Sequence, residues 1–415
     1  MRSLLIIMVV FWTGPLTAVP TYYKDVLPVL QEHCQDCHRP SGLNLGGMRA
    51  PMAFTSYEET RAWAPIIRWS VETGRMPPWH ASADQRGVFA NERSLDEGEI
   101  RTIVDWSAGG APAGDPLEAP PPVEFNGGDE EWSIGEPDLI LRMPEPYLVR
   151  DRVADEYVNI DVEITRDMLP EPRWIKSVQI RPGSPVVHHV IATPLAGIAP
   201  GRDALRYPEG YARLLRGGTT VTFQMHYNKI PGPGTAVLDQ TEIAIRFYKT
   251  GEEIRHIVQT ESLGMYSFRI PAGDPNYSYS TSYTFEKDMQ ILWLNPHMHL
   301  RGKAALYVAT LPDGSEKVLL DVPRYDFNWQ HAYIYKDPVL VPAGTRVDLT
   351  MWWDNSAANL ANPDPTREVR FGRPTTAEMG FGWMSMAEAR PRRIIVGEAL
   401  PDDLPVEPPI FGRRP

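Results

Sequence analysis

The chain has only two cysteines, and both lie in the pentapeptide Cys34-Gln35-Asp36-Cys37-His38. Two thiols at this spacing can each form a thioether to one vinyl group of a porphyrin, and the adjacent histidine then binds the iron. A redox-active C-x-x-C needs a strand–helix–strand context that the flanks lack, and His38 favours haem over a disulfide. The motif therefore predicts covalent haem c and a chain that matures outside the cytoplasm.

The first residues have the pattern of an export signal. Arg2 supplies the positive charge, Leu4–Trp12 is apolar, and Ala18 offers a small residue for cleavage. This predicts a signal peptide over 1–18 and a periplasmic or secreted protein. The apolar run is short for a bilayer span, so a membrane is a partner only if the segment is retained as an anchor.

Two predicted helices flank the haem motif, over Tyr22–His33 and Ser94–Ala108. The second begins with a capping box, Ser94-Leu95-Asp96-Glu97, and ends at Gly109-Gly110. Helices at both ends of 21–112, with the haem motif just after the first, resemble a class I cytochrome c. The resemblance implies a small all-α haem domain.

The second axial ligand of the iron should lie between these helices. Met76 is favoured because a thioether suits Fe(II) and its Met-Pro pair matches the loop that carries the distal Met in cytochromes c. Met48, Met52 and His80 remain open as alternatives.

The remainder of the chain changes character at a Pro- and Gly-rich linker over 113–135. Beyond it, short apolar runs and turn residues predict two antiparallel β-sandwich domains, over 136–253 and 254–392, and a tail over 393–415. A net charge of −12 without a basic run argues against nucleic acid as a partner. The clearest predicted strands are 157–164, 174–180, 186–193, 219–227, 242–248, 289–294, 304–310, 317–322 and 345–353.

Five of the ten histidines cluster in strand-like segments of this β region: His188, His189, His226, His297 and His299. The side chains of an H-x-H pair leave a strand on the same face, so His297 and His299 can share one metal ion. Adjacent histidines leave on opposite faces, so His188 and His189 can share an ion only at a bulge or a sheet end. A three-His set would also suit zinc.

The order of these motifs, followed by Glu378-Met379, resembles the copper type II, ascorbate-dependent monooxygenases, such as peptidylglycine α-hydroxylating monooxygenase and dopamine β-monooxygenase. The resemblance implies two jelly-roll-like sandwiches. It also implies one copper ion on His188, His189 and His226, and a second on His297, His299 and Met379. Met384 and Met386 are alternatives to Met379, and Gln224 matches a position near the substrate and oxygen site.

The chain departs from this family in two respects. The β region has no cysteine, whereas the animal enzymes are rich in disulfides. The peptide-amidating enzyme holds its substrate carboxylate with an arginine two residues before the H-x-H motif, and this position is Asn295 here. A peptide C-terminus is therefore not the expected substrate, and Arg301 does not fill the same position.

Together these features predict a copper-dependent monooxygenase that hydroxylates a C–H bond of a small organic substrate with O₂. The electrons would come from ascorbate or a redox protein, with the haem domain as their entry. Two other functions stay open: a non-catalytic haem and copper electron-transfer or copper-binding protein, and a zinc hydrolase built on the three-His set.

Overall fold

The computed structural model describes residues 19–40, 42, 50–125, 132–198 and 204–404. The predicted signal peptide, Met48 and the end of the predicted tail lie outside these residues. The described residues form two compact units. Unit 1 comprises the described parts of Met1–Gln35, Ala53–Pro77 and Leu95–Val123, and unit 2 those of Asp36–Met52, Pro78–Ser94 and Glu124–Pro415.

Unit 1 is helical in its described residues. A π-helical turn, Tyr22–Val26, leads into α1 (Leu27–His33), and α2 (Tyr57–Glu72) and α3 (Glu97–Ala108) follow. Helix α2, which the sequence analysis did not identify, begins at Ser56, whose hydroxyl accepts the Glu59 N–H. No helix of the described residues is long and apolar enough to cross a membrane.

The capping box predicted for α3 was placed two residues too early. Asp96 is the N-cap, its carboxylate accepts the Glu99 N–H at 2.8 Å, and the Glu99 carboxylate accepts the Asp96 N–H at 2.7 Å. The Ser94 hydroxyl instead donates to the Glu92 carboxylate, so it does not cap the helix. The predicted end at Gly109 is confirmed.

The described residues are mostly β, with 38% of them in strands and 13% in helices. In chain order the strands are β1 (Leu139–Arg142), β2 (Tyr147–Val149), β3 (Asp155–Ile164), β4 (Arg173–Arg181), β5 (Val187–Thr193), β6 (Ala196–Ile198), β7 (Ala204–Arg206), β8 (Tyr211–Leu215), β9 (Thr219–Asn228), β10 (Val237–Asp239), β11 (Glu242–Phe247), β12 (Glu253–Ile254), β13 (His256–Gly264), β14 (Arg269–Ile270), β15 (Tyr277–Thr284), β16 (Met289–Met298), β17 (Gly302–Thr310), β18 (Glu316–Val322), β19 (Tyr333–Val341), β20 (Arg346–Trp353), β21 (Val369–Arg370), β22 (Gly380–Glu388) and β23 (Ile394–Ile395).

Three sheets of unit 2 position the candidate site. The largest has the strand order β1-β11-β4-β8-β13-β22-β16-β19, with β7 also paired to β4. The other two have the orders β3-β9-β5-β6 and β15-β20-β17-β18. Apolar residues of the first half of the large sheet pack with those of β3, β5 and β9, and residues of its second half pack with those of β15, β17, β18 and β20. The result is two cores, each between two sheets.

The two predicted sandwich regions are joined by backbone pairing. Strand β8 of the first region and β13 of the second run parallel, with His256 opposite Tyr211. Side chains from the second region, including Val258 and Leu292, also belong to the first core. The predicted boundary at 253/254 therefore separates two segments that contribute strands to one continuous sheet.

All nine predicted strands are confirmed, and their ends either coincide with the prediction or shift by at most four residues. Sequence patterns missed β13, β15, β19 and β22. Strand β15 alternates half-buried and exposed residues, but these are Ser, Thr and Tyr, so its sequence shows little alternation of aliphatic and polar residues. Strand β22 is covered on both faces and shows no alternation at all.

Candidate metal centre

The first three histidines meet because β5 contains a bulge. Val187 is opposite Tyr227 of β9, but His189 is opposite His226, so His188 is an extra residue in the ladder. The extra residue disturbs the alternation that would send His188 and His189 to opposite faces. The condition that the sequence analysis set for a shared ion is therefore confirmed. Each of the three imidazoles offers a nitrogen within 4.8 Å of the others.

The Nδ1 atoms of this first set converge. His189 Nδ1 is 3.3 Å from His188 Nδ1 and 3.2 Å from His226 Nδ1. His226 Nε2 donates to a carboxylate oxygen of Asp155, which leaves its Nδ1 unprotonated and directed at the other two rings. The Tyr157 ring stacks on His226 with centroids 4.1 Å apart. A carboxylate behind a ligating imidazole is the usual support of a metal-bound histidine.

The second set lies on β16 of the large sheet. His297 is buried, and its Nδ1 donates to the Gln330 side-chain oxygen at 2.5 Å, which leaves Nε2 as the ligand atom. His299 is also buried, and its Nδ1 faces the Ala377 carbonyl at 3.4 Å. Among the residues that the structure describes, its Nε2 has no hydrogen-bond partner. A buried imidazole nitrogen without a partner is costly, and a bound metal ion would satisfy it.

The ladder of β16 and β22 brings the backbone of Met379 close to that of His299. Met298 is opposite Gly380, so the next residues on each chain, His299 and Met379, come together at the strand ends. The Glu378 carboxylate holds these strand ends together. It accepts hydrogen bonds from the backbone N–H groups of His299 at 2.9 Å, Arg301 at 2.7 Å and Met379 at 3.3 Å. Burial raises the pKa of Glu378 to about 7, against the lowering effect of these donors.

The two sets lie against each other. The rings of His189 and His297 meet edge to face, with centroids 6.0 Å apart. Phe327 stacks on His188 at 4.6 Å, and its ring centroid lies 6.0 Å from that of His299. The two sets, although far apart in the sequence, thus form one cluster of imidazoles.

Burial favours the neutral form of His188, His189, His297 and His299, and the neutral imidazole is the form that binds metal. Burial, helped by the neighbouring charges of His226 and His297, lowers the pKa of His188 to about 3. Burial also lowers the pKa of His297 to about 4, and it holds the pKa values of His189 and His299 well below the usual range.

Packing places several of the sequence candidates. Met384 and Met386, the alternatives to Met379, are buried in the second core, and Met225 and Met298, which neighbour the histidines, also pack in the cores. Gln224 is half-buried on β9, two residues before His226 and hence on the same face. Arg301 is buried; its Nε donates to Asn355 and its Nη1 to the Thr376 carbonyl, so it is engaged within the protein.

The predicted haem ligands are described residue by residue. Cys34 is the C-cap of α1, and both Cys34 and Cys37 are half-buried. His38 Nδ1 lies 3.2 Å from the Met52 carbonyl oxygen, and burial lowers the pKa of this imidazole. A backbone carbonyl at Nδ1 leaves Nε2 for iron, so the local geometry fits an axial ligand. Met76, which follows α2, stays a prediction as the distal ligand.

Three residues of the centre gave no sequence signal: Asp155, Phe327 and Gln330. Phe327 and Gln330 lie between β18 and β19, outside any strand pattern. Asp155 could have been found once β3 was paired with β9, because that register sets Tyr157 opposite His226.

No family model matches this sequence, and no curated protein matches it. Among solved structures, the major capsid protein P2 of bacteriophage PM2 aligns with a TM-score of 0.25 and 7% identity, over 60% of this chain and 97% of its own. The VP2 subviral particle of infectious bursal disease virus aligns with a TM-score of 0.19 and 12% identity, over 59% of this chain and 73% of its own. The STIV MCP aligns with a TM-score of 0.21 and 8% identity, over 54% of this chain and 98% of its own. Similarity at this level carries no functional argument.

The hydrogen bond from His297 to Gln330 gives a direct test of the second set. We expect Gln330→Leu to weaken metal binding there by roughly tenfold to a hundredfold, because the imidazole loses the acceptor that fixes its tautomer. Gln330→Glu keeps an acceptor oxygen and serves as the matched control. Metal titration against a chelator measures the effect, and equal affinities for the two variants would contradict the assigned role of Gln330.

Proposed function

We propose that this chain is an exported copper-dependent monooxygenase that hydroxylates a C–H bond of a small organic molecule with O₂. The observation that carries the proposal is the convergence of His188, His189 and His226 at a bulge, against which His297 lies. Two buried sets of metal-binding side chains in one cluster suit a reaction that needs O₂ activation and more than one electron.

The ligand types favour copper over zinc. The first set offers three imidazoles, which both metals accept. The second set offers His297, His299 and the neighbouring thioether of Met379, and a thioether is a soft ligand that suits Cu(I). Bound copper would supply O₂ activation and electron storage at this centre.

The protein's own contribution is to bind, orient and shield. Asp155 and Gln330 fix the tautomers of one imidazole in each set, so the ligand nitrogens are directed before a metal arrives. Phe327 covers His188, and Trp383 lies against His297 with ring centroids 5.7 Å apart. These aromatic rings limit water at the cluster, and half-buried Gln224 offers an amide on the open face of β9.

We further propose that Cys34, Cys37 and His38 hold haem c in a cytochrome c-like region over 21–112, and that this haem is the electron inlet. Ascorbate or a redox protein would reduce it. The support is the attachment motif together with the carbonyl behind His38 Nδ1. The engagement of Arg301 and the presence of Asn295 do not favour a peptide carboxylate as substrate.

The decisive measurement is metal content followed by O₂ uptake. Protein matured with haem should take up copper at both sets and consume O₂ with ascorbate and a suitable substrate. Stopped-flow spectra should show ferrous haem reoxidised only when O₂ and substrate are both present. Copper binding at one set alone, or at neither, would contradict the monooxygenase proposal, and haem that stays reduced during turnover would contradict the inlet.

A further inference from the structure

The Asp155 carboxylate contacts two parts of the metal centre that lie far apart in the sequence. One oxygen accepts the Nε2–H of His226 in the first set. The other accepts the backbone N–H of Thr375 at 3.1 Å and the Thr375 hydroxyl at 3.0 Å.

Thr375 belongs to the segment that presents Met379 to the second set. The segment joins β21 to β22 and is held by its own backbone bonds: the Gly372 N–H donates to the Glu378 carbonyl at 2.9 Å, and the Ala377 N–H donates to the Pro374 carbonyl at 2.9 Å. Thr375 is itself buried. Because the segment is compact, fixing Thr375 also restricts the positions that Glu378 and Met379 can take.

We propose that Asp155 and Thr375 form a clasp that couples the two metal sets. A cation on His226 Nδ1 polarises the ring and strengthens its Nε2–H as a donor to Asp155. The carboxylate then holds Thr375 more firmly. The segment that carries Met379 is therefore already more ordered, and it loses less conformational freedom when the second set binds its ion. The inference rests on the proposed function only in taking both sets as copper sites.

The coupling must be reciprocal, because it is a free energy shared by two binding equilibria. An ion at His297 and His299 should therefore also tighten the first set. Asp155 and Thr375 are positioning residues in this scheme, since neither needs to touch the metal. Their effect should appear in affinities and in the copper spectrum, even where no substrate is present.

The test compares Cu(I) affinity at the second set in four forms of the full chain: native, His188→Ala, Asp155→Asn, and the double variant. His188→Ala removes one of the three imidazoles of the first set and so weakens its ion binding, without changing Asp155. We expect it to weaken the second set about fivefold or more in the native background and to have no further effect in the Asp155→Asn background. Competition with a Cu(I) chelator gives the affinities, and electron paramagnetic resonance of the oxidised protein assigns the sites.

Threonine variants separate the clasp from general damage. Thr375→Val removes the hydroxyl bond to Asp155 and should reduce the coupling, whereas Thr375→Ser should restore it. Thr366→Val is the matched control, because Thr366 makes a similar hydroxyl bond to Asp364 at 2.6 Å in an exposed turn of the same region. That variant should leave the coupling unchanged.

The two proposals fail differently. Absence of copper from both sets of the native protein would overturn the proposed function. Copper at both sets with an unchanged second affinity in His188→Ala would overturn the clasp and leave the proposed function standing. Loss of coupling in Thr366→Val as well as in Thr375→Val would also overturn the clasp.

Discussion

Replacing both His297 and His299 with alanine is expected to abolish hydroxylation while the first set keeps its copper ion. The two imidazoles supply both nitrogen ligands of the second set, and Met379 alone cannot retain a metal ion there. The protein should still fold, because the first core and the pairing of β16 with β22 do not depend on these rings. Copper analysis and resonance spectra before and after oxidation would measure the loss.

His256→Ala is the matched control for this variant. His256 is also a buried strand histidine of the large sheet, and its Nδ1 lies 3.0 Å from the Glu388 carbonyl oxygen, outside both sets. It should keep full copper content and turnover. A double variant of His297 and His299 that still bound copper at both sets would show that the H-x-H pair is not a ligand.

Glu378→Gln is expected to cost roughly 2 to 3 kcal/mol in the free energy of unfolding, because an amide has one acceptor oxygen for the N–H donors that the carboxylate satisfies. Those donors are the backbone groups of His299, Arg301 and Met379. An N–H left facing the new NH₂ group is buried without a partner. Urea unfolding of the metal-free protein measures the loss.

Glu368→Gln provides the comparison on the same side of the molecule. Glu368 pairs with Arg370 at 2.7 Å, and both side chains are exposed, so its loss should change the free energy of unfolding by about 1 kcal/mol or less. Similar midpoints for both variants would contradict the role assigned to Glu378. Weakened copper binding at the second set should accompany Glu378→Gln alone.

The sequence was informative where chemistry and periodicity coincide. Alternating apolar residues predicted nine strands, and the rarity of histidine drew attention to the five imidazoles that the structure brings together. The bulge at His188 was foreseen only as a condition, because a ladder irregularity depends on the partner strand. Strand β22 was missed since residues covered on both faces show no period.

The residues that support the histidine cluster could not be predicted from sequence patterns. Gln330 and Phe327 lie in a connection whose path depends on Asn295, which donates its side-chain amide to the Gln330 carbonyl. Thr375 meets Asp155 across 220 residues of chain. Such contacts follow from how sheets pack, and neither propensity nor spacing encodes them locally.

The parallel pairing of β8 with β13 bears on how this protein can be divided. Separating the chain near residue 253 would leave both strands as uncovered sheet edges, with backbone N–H and C=O groups available to any other extended chain. The cut would also expose the apolar side chains that the second half contributes to the first core. Neither half is therefore suited to expression alone or to exchange between proteins, and the two histidine sets require the whole sheet.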